Sequence, residues 1–461
     1  MLEITVFGAA DSVGKSCVMI SDEEDRRVLL DAGIELHPRR TGKLSTPPEG
    51  VDEFCEDIAS VVLSHAHIDH SAYIPALYRA GYKEQVHMTT PTKDIVDILW
   101  KDHLKIEGPH HYGISHLHSA LAKTKTHEYH RKFRVAPGIT AEFYDASHIL
   151  GSAAILLDWE GTLIFYTGDY NDAKTPYHDP IVYPDPDNPI DVLLTETTNA
   201  NRNIGSSRKL ATSNLTKSLL KCYSRGGKAI IPSFALGRSQ EIQSYLTSDF
   251  DSFLHKFPLY IDGMILDMNS VYQKYLNKKW VSPRILIELE ERGYRTPFEH
   301  EGLRTVDEVS YKGKRGSKRE KLVTQSKPSI ILTTSGMLEG GPVYDYLRFG
   351  GNDPLNGLYI VGYQVEGTLG SDIASGKTDI TLDNGFGDYY DIKLSLEVKR
   401  FEFSGHTSID GLIDMVRYSS PSLVYALHGE PMAQQAYYRA LEELGHKATI
   451  LSSHEILYNY P

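Results

Sequence analysis

The chain opens on an alternating stretch, MLEITVFGAA, which predicts a half-buried strand. Two more apolar runs, Val18 to Ile20 and Val28 to Leu30, flank the acidic turn Asp22 to Asp25 and read as paired strands, leaving Asp31 at a strand end before Gly33. In DIASVVLSHAHIDH an apolar strand runs into a polar loop. SAYIPALYRAG, ending at Gly81, and PTKDIVDILWKDHLKI have helical apolar spacing. Strands resume through ITAEFYDASHILGSAAILLDWEGTLIFYTGDY, with a hairpin turn at Glu160 and Gly161, and in IDVLLTET.

After Thr198 the pattern changes. SSRKLATSNLTKSLLKCYSRGG and GRSQEIQSYL read as helices, while KAIIPSF, PLYIDG, PSIILTTSG and NGLYIVGYQ are short, fully apolar strands. Strands buried on both faces and separated by helices are what a parallel sheet requires. Alternation returns in YDIKLSLEVKRFEFSGH and SLVYALHGE, so a second domain is expected to interrupt the first. The expected division is 1–202 and 395–461 for the first domain and 203–394 for the insertion, an α/β organisation that suits a chain of 461 residues.

Composition narrows the class. At 41% hydrophobic and 24% charged residues, with no apolar run long enough to span a bilayer and no secretory pattern, the chain reads as soluble, with no membrane partner. Three scattered cysteines, Cys17, Cys55 and Cys222, give neither a disulfide framework nor a thiolate metal knuckle and suit a reducing cytoplasm. A net charge of -13 opposes gross attraction to nucleic acid but leaves room for a local cationic surface. The basic stretch YKGKRGSKREK, which includes Lys312, Lys314, Arg315, Lys318, Arg319 and Lys321, fits both a solvated loop and a phosphate-contacting one.

The chemistry concentrates at strand ends. In SHAHIDH, a loop leaving a strand can aim His65 and His67 at one ion and Asp69 with His70 at another; imidazole and carboxylate are zinc ligands. His148 in DASHILGSA, Asp169 in YTGDY, His406 in FSGHTS and His428 in ALHGE also follow predicted strands beside glycines, and Asp31 and Glu196 are similarly placed. Ser233 and Arg238 in IPSFALGRS, and Ser335 and Gly336 in TTSGML, stand where phosphates could bind, although packing and helix capping explain them equally well.

Together, H-x-H-x-D-H, the His of SHILGSA and the Asp of TGDY resemble the metallo-β-lactamase superfamily, and LLTETT, FSGH and LHGE resemble the three further motifs of its β-CASP nuclease branch. GGKAIIPSFALGRSQEI, TTSGMLEGGPV and GYQVEGTLG look most similar to short archaeal members of the cleavage and polyadenylation specificity factor nucleases. The resemblance implies an αββα metallo-β-lactamase sandwich with an inserted β-CASP domain, mainly parallel in its sheet, and a dinuclear site in the cleft between them. His65, His67 and His148 would hold one Zn2+, Asp69, His70 and His428 the other, and Asp169 would bridge them, with Asp31 orienting the loop from behind; Mn2+ is an alternative metal.

By the same resemblance, a hydroxide shared by the two ions attacks a phosphodiester of single-stranded RNA, Asp69 belongs to the catalytic constellation, and His406, oriented by Glu196, protonates the leaving oxygen. The products would be a 3'-hydroxyl and a 5'-phosphate, by endonuclease or 5'-to-3' exonuclease action. RNA-directed members have histidine at the position of His428, where DNA-directed members often have valine. A DNA nuclease or a small-molecule metallohydrolase is the alternative. No N-terminal RNA-binding extension is expected, so RNA affinity would come from the cleft or from partners, with homodimers and exosome-type RNA-processing assemblies as candidates. The motif SGHTS lacks the aspartate that often follows in relatives.

Overall fold

The computed structural model describes residues 2–184, 189–202, 208–309, 315–383, 388–446, 448–450 and 456–457. It divides into two compact units, one formed by the described residues of 1–37, 44–203 and 405–461, the other by those of 38–43 and 204–404.

In the first unit two seven-stranded sheets stack face to face. The expected opening hairpin is present, with Val18 opposite Leu30 and Ile20 opposite Val28. So is the turn at Glu160 and Gly161, where Trp159 faces Thr162 and both turn residues take positive φ, 52° and 98°. That backbone suits a two-residue hairpin loop. Between the sheets lie Ile4, Val6, Ile20, Val28, Leu30 and Val62 from one side and Phe143, Ile155, Leu157, Trp159, Ile164 and Leu194 from the other. Burying each such large side chain contributes roughly 1.5–3 kcal/mol, which locks the two sheets together. The outer face of the second sheet is covered by helices Ile409–Ser419 and Pro431–Glu443 through Leu412, Met415, Val416, Tyr437 and Leu441. This is the layered αββα sandwich.

Sheet direction places the site. Strands Arg27–Leu30 and Ile58–Val62 are parallel neighbours in one sheet, and Thr162–Tyr166, Val192–Glu196 and Leu423–Leu427 are parallel neighbours in the other. Ile139–Asp145 is antiparallel to Ala153–Trp159, which is antiparallel to Thr162–Tyr166, so Ile139–Asp145 runs with the parallel set. The residues leaving the carboxyl ends of these strands therefore meet along one rim.

The second unit holds a six-stranded sheet, parallel throughout, with apolar clusters on both faces. Two features differ from the expected division. Glu397–Arg400, expected with the first domain, pairs in parallel with Gly357–Ile360 of this sheet, whereas Tyr389–Lys393, inside the expected insertion, forms a hairpin with Asp379–Asp383. Residues 38–43 also belong here: the Arg39 backbone N–H donates to Glu339 Oε2 (2.6 Å) and the Arg40 guanidinium to Asp372 Oδ2 (2.7 Å). Among the described residues no helix is long and apolar enough to cross a membrane.

Candidate metal centre

Every rim position that the sequence singled out arrives in the first unit. The SHAHIDH loop docks through backbone hydrogen bonds: the Ala32 N–H donates to the His70 carbonyl (2.8 Å), Ile34 to Ile68 (3.1 Å) and Ser16 to Asp69 (2.8 Å). This approach is so close that a Cβ on Gly33 would lie 1.7 Å from the Asp69 carbonyl oxygen. At Gly168, φ is 52° and a Cβ would stand 2.7 Å from Ser64 Cβ, so glycine alone lets the chain turn Asp169 inward.

The ligand atoms fall into two groups that share Asp169. Those of His65, His67, His148 and Asp169 lie within 4.8 Å of one another, as do those of Asp69, His70, Asp169 and His428. In the first group His67 Nδ1 is 3.2 Å from His65 Nε2 and 3.1 Å from His148 Nε2. The three rings stand at 5.0 Å between centroids in each pairing, near perpendicular, at 83°, 78° and 82°. Three imidazoles presenting nitrogens this way match three corners of a tetrahedron whose edges, for zinc–nitrogen bonds of about 2.0–2.1 Å, are roughly 3.3–3.4 Å. Asp169 Oδ2 faces this group, 3.7 Å from His65 Nε2 and 3.8 Å from His148 Nε2.

In the second group Asp169 Oδ1 lies 3.3 Å from His70 Nε2 and 3.1 Å from His428 Nδ1, while His428 Nε2 lies 3.6 Å from Asp69 Oδ2. Despite these short distances, buried Asp169 Oδ1 and His428 Nε2 have no hydrogen bond of acceptable geometry. Both residues belong to the same group of candidate ligands. A buried carboxylate left so is costly unless a cation completes it. The donor set, imidazole and carboxylate without thiolate, fits zinc.

Behind the ligands, one buried carboxylate organises both groups. Asp31 Oδ2 accepts from His70 Nδ1 (2.7 Å), Ser64 Oγ (2.7 Å) and the Tyr166 hydroxyl (2.8 Å), and Oδ1 accepts from the Ser64 N–H (2.7 Å). Ser64 Oγ in turn stands 3.1 Å from His65 Nδ1. A proton on each Nδ1 leaves Nε2 of His70 and His65 free to ligate. His148 Nδ1 is served likewise by the Gly405 carbonyl at 2.7 Å. Burial and neighbouring imidazoles hold His65 and His148 well below the ordinary histidine range and push His67 down to about 4, so this trio is neutral and ready to ligate. Burial pulls His428 down as well, but Asp169 and Asp69 outweigh it and lift it to about 10.

His406 sits at the same rim with a different partner. Its Nδ1 is 2.8 Å from Glu196 Oε2 and 3.9 Å from Asp169 Oδ2. Glu196 is buried, and its Oε1 accepts from the Tyr170 N–H at 2.8 Å. Burial lowers the His406 pKa, yet the Glu196 and Asp169 carboxylates prevail and raise it.

The chain is matched by the profile of the "Beta-lactamase superfamily domain" over residues 26–202, by the "Beta-Casp domain" over 239–373, and by the "Zn-dependent metallo-hydrolase RNA specificity domain" over 391–451. An RNase J-like protein of Methanocaldococcus jannaschii is 33% identical over 435 residues, covering 93% of each chain. The chain belongs to the β-CASP branch of the metallo-β-lactamase superfamily. Among other β-CASP relatives, transcription termination factor FttA of Methanosarcina mazei is 32% identical over 448 residues, covering 94% of this chain and 67% of its own length. The chain thus spans about two thirds of that relative. A crystal structure of a protein of unknown function from Enterococcus faecalis shares the fold at a TM-score of 0.56 and 12% identity, covering 99% of each chain.

The remaining sequence candidates lie in the second unit, where the structure gives them internal partners. Ser233 is buried with its hydroxyl donating to the Phe234 carbonyl (3.3 Å), and Arg238 pairs with Glu241. Ser335 Oγ accepts from the Glu339 N–H (3.0 Å), and a Cβ on Gly336 would stand 2.7 Å from the Phe234 nitrogen. These contacts are packing and capping. Of the basic stretch, Lys312 and Lys314 lie outside the described residues; Arg319 is clamped by Asp262 (2.6 Å) and Asp345 (2.9 Å). Ser64, Tyr166 and Gly405 were missed from sequence, although Ser64 adjoins His65 and Tyr166 opens the YTGD motif.

Proposed function

We propose that the chain is a zinc-dependent ribonuclease that hydrolyses phosphodiester bonds of single-stranded RNA, using two ions held by His65, His67, His148, Asp69, His70, His428 and the shared Asp169. The observation that carries this reading is the His406–Glu196 pair beside the shared carboxylate. A small-molecule metallohydrolase can work with the ligand cluster alone; a buried carboxylate aligning a further histidine serves a leaving group that needs a proton.

When bound, the ions supply Lewis-acid charge for the phosphoryl oxygens and an effective nucleophile from water near neutral pH. The chain does the rest. Asp31 keeps the ligating imidazoles in one tautomer, directly at His70 and through Ser64 at His65. Glu196 keeps the Nδ1 proton of His406 engaged, so that Nε2 can hand its proton to the leaving 3'-oxygen as the P–O bond breaks. The products are a 3'-hydroxyl and a 5'-phosphate. RNA is favoured over DNA by His428 at the position where RNA-directed relatives have histidine, and by the names of the RNase J-like relative and the RNA specificity domain.

The test is digestion of matched single-stranded RNA, duplex RNA and single-stranded DNA, each labelled at either end, with the zinc-loaded protein. The expected result is preferential cleavage of single-stranded RNA with 5'-phosphate products. Preferential cleavage of DNA, or products ending in a 3'-phosphate, would overturn it.

A further inference from the structure

The segment 123–134, KTKTHEYHRKFR, carries Lys123, Lys125, Arg131, Lys132 and Arg134 against the single acid Glu128, within a chain of net charge -13. It forms one border of the first unit: Thr124–His127 is the edge strand of one sheet and Phe133–Ala136 the edge strand of the other. All five cations are exposed. Some basic side chains of the chain are matched by carboxylates, as Arg26 is by Asp22 and Glu160, and Arg225 by Glu397. Here, among the described residues, Lys123, Lys125, Arg131 and Arg134 have no carboxylate within ion-pair distance, and Lys132 reaches Asp158 only at 3.9 Å.

A lysine on an edge strand can serve to repel another sheet, which accounts for Lys125. Arg131 and Lys132 lie between the strands, where no ladder is offered, so that explanation does not reach them.

The cations also lead toward the metal rim. His127 pairs with Thr89 at the carboxyl end of its strand, and the His130 N–H donates to the Phe143 carbonyl (2.9 Å). The Tyr129 hydroxyl donates to the Ser152 carbonyl (2.8 Å), and Ser152 Oγ accepts from the His148 N–H (3.2 Å), on the loop that carries a candidate ligand. Arg131, next to His130, therefore stands toward the metal side of the border, whereas the Lys132 ammonium turns back toward Asp158, opposite Thr140, and Lys125 and Lys123 follow away from the rim.

We propose that this border is a second binding surface for the RNA backbone, continuous with the metal centre, which grips a long strand while another part of it is cut. It rests on the ribonuclease reading and adds to it a length-dependent grip. An unpaired row of cations on an acidic protein fits a flexible polyanion, because each phosphate neutralised releases counterions.

The test uses the full chain carrying His406→Ala, to prevent turnover, with and without Lys125→Gln, Arg131→Gln and Lys132→Gln together. All three positions are exposed, so the fold is spared. Binding is measured for oligouridines of about thirty and about six nucleotides across a salt series, lengths chosen to exceed or fall short of a two-part footprint. The substitutions should weaken the longer RNA roughly tenfold or more and flatten its log–log salt slope by about two, while the shorter RNA is unaffected. Unchanged affinity and slope for the longer RNA, with normal cleavage by the chain that retains His406, would overturn this inference alone. A wild-type chain that neither binds nor cleaves either RNA would overturn the ribonuclease reading with it.

Discussion

His148 and His406 lie ring to ring, 4.8 Å between centroids, and their Nδ1 partners divide their work. A neutral carbonyl, Gly405, orients His148, a candidate ligand; a carboxylate, Glu196, holds His406 toward the protonated form. In the proposed reaction His406→Ala should lower turnover by roughly 10²- to 10⁴-fold while zinc content stays near two per chain. His65→Ala and Asp169→Ala should lose zinc as well as activity. Metal analysis beside single-turnover cleavage checks this, and equal zinc loss in all three variants would contradict the division of roles. At this scale the chemistry-bearing residues were legible because histidine and aspartate are conspicuous at strand ends. Their supports were not: a carbonyl such as Gly405 has no signature, and the hydroxyls of Ser64 and Tyr166 acquire meaning only when packing brings Asp31 between them.

At the scale of elements, period told strand from helix but not which sheet a strand would join. Tyr389–Lys393 and Glu397–Arg400 expose alternate or peripheral positions and so imitate the one-sided strands of the first unit, yet one forms a separate hairpin and the other an edge of the parallel sheet. Pairing partners lie in register and topology, which a two-residue period does not encode. Glu397 shows what fixes that edge: Arg225, Lys221 and Lys399 approach it at 3.0, 3.1 and 3.2 Å, and the Tyr359 hydroxyl donates to it at 3.1 Å. Burial pushes its pKa up, but these partners bring it down from 4.5 to about 2. Because the folded value is the lower one, its contribution is present above pH 4.5 and is lost as pH falls toward 2. In denaturant unfolding, wild type should exceed Glu397→Gln at neutral pH, and the gap should close through that acid window. A gap independent of pH would show that the ion network does not anchor the strand.

For the whole molecule, the alternation of strand styles along 461 residues predicted an interrupted sandwich, and the family comparison and the two described sheets agree with that architecture. Net charge was the poorer guide. A value of -13 averages an acidic surface with the basic border at 123–134, which is less dense in charge than the stretch at 311–321 and so less conspicuous along the chain. What unites the molecule is the shared carboxylate: Asp169 belongs to both ligand groups, and to the space beside His406. If that sharing is the basis of activity, neither ion alone completes the centre. The most direct test is titration of metal-free protein with zinc while cleavage of labelled single-stranded RNA is followed. Activity should remain low through the first equivalent and rise to a plateau at two equivalents per chain, whereas full activity at one equivalent, or activity indifferent to zinc, would contradict a dinuclear centre.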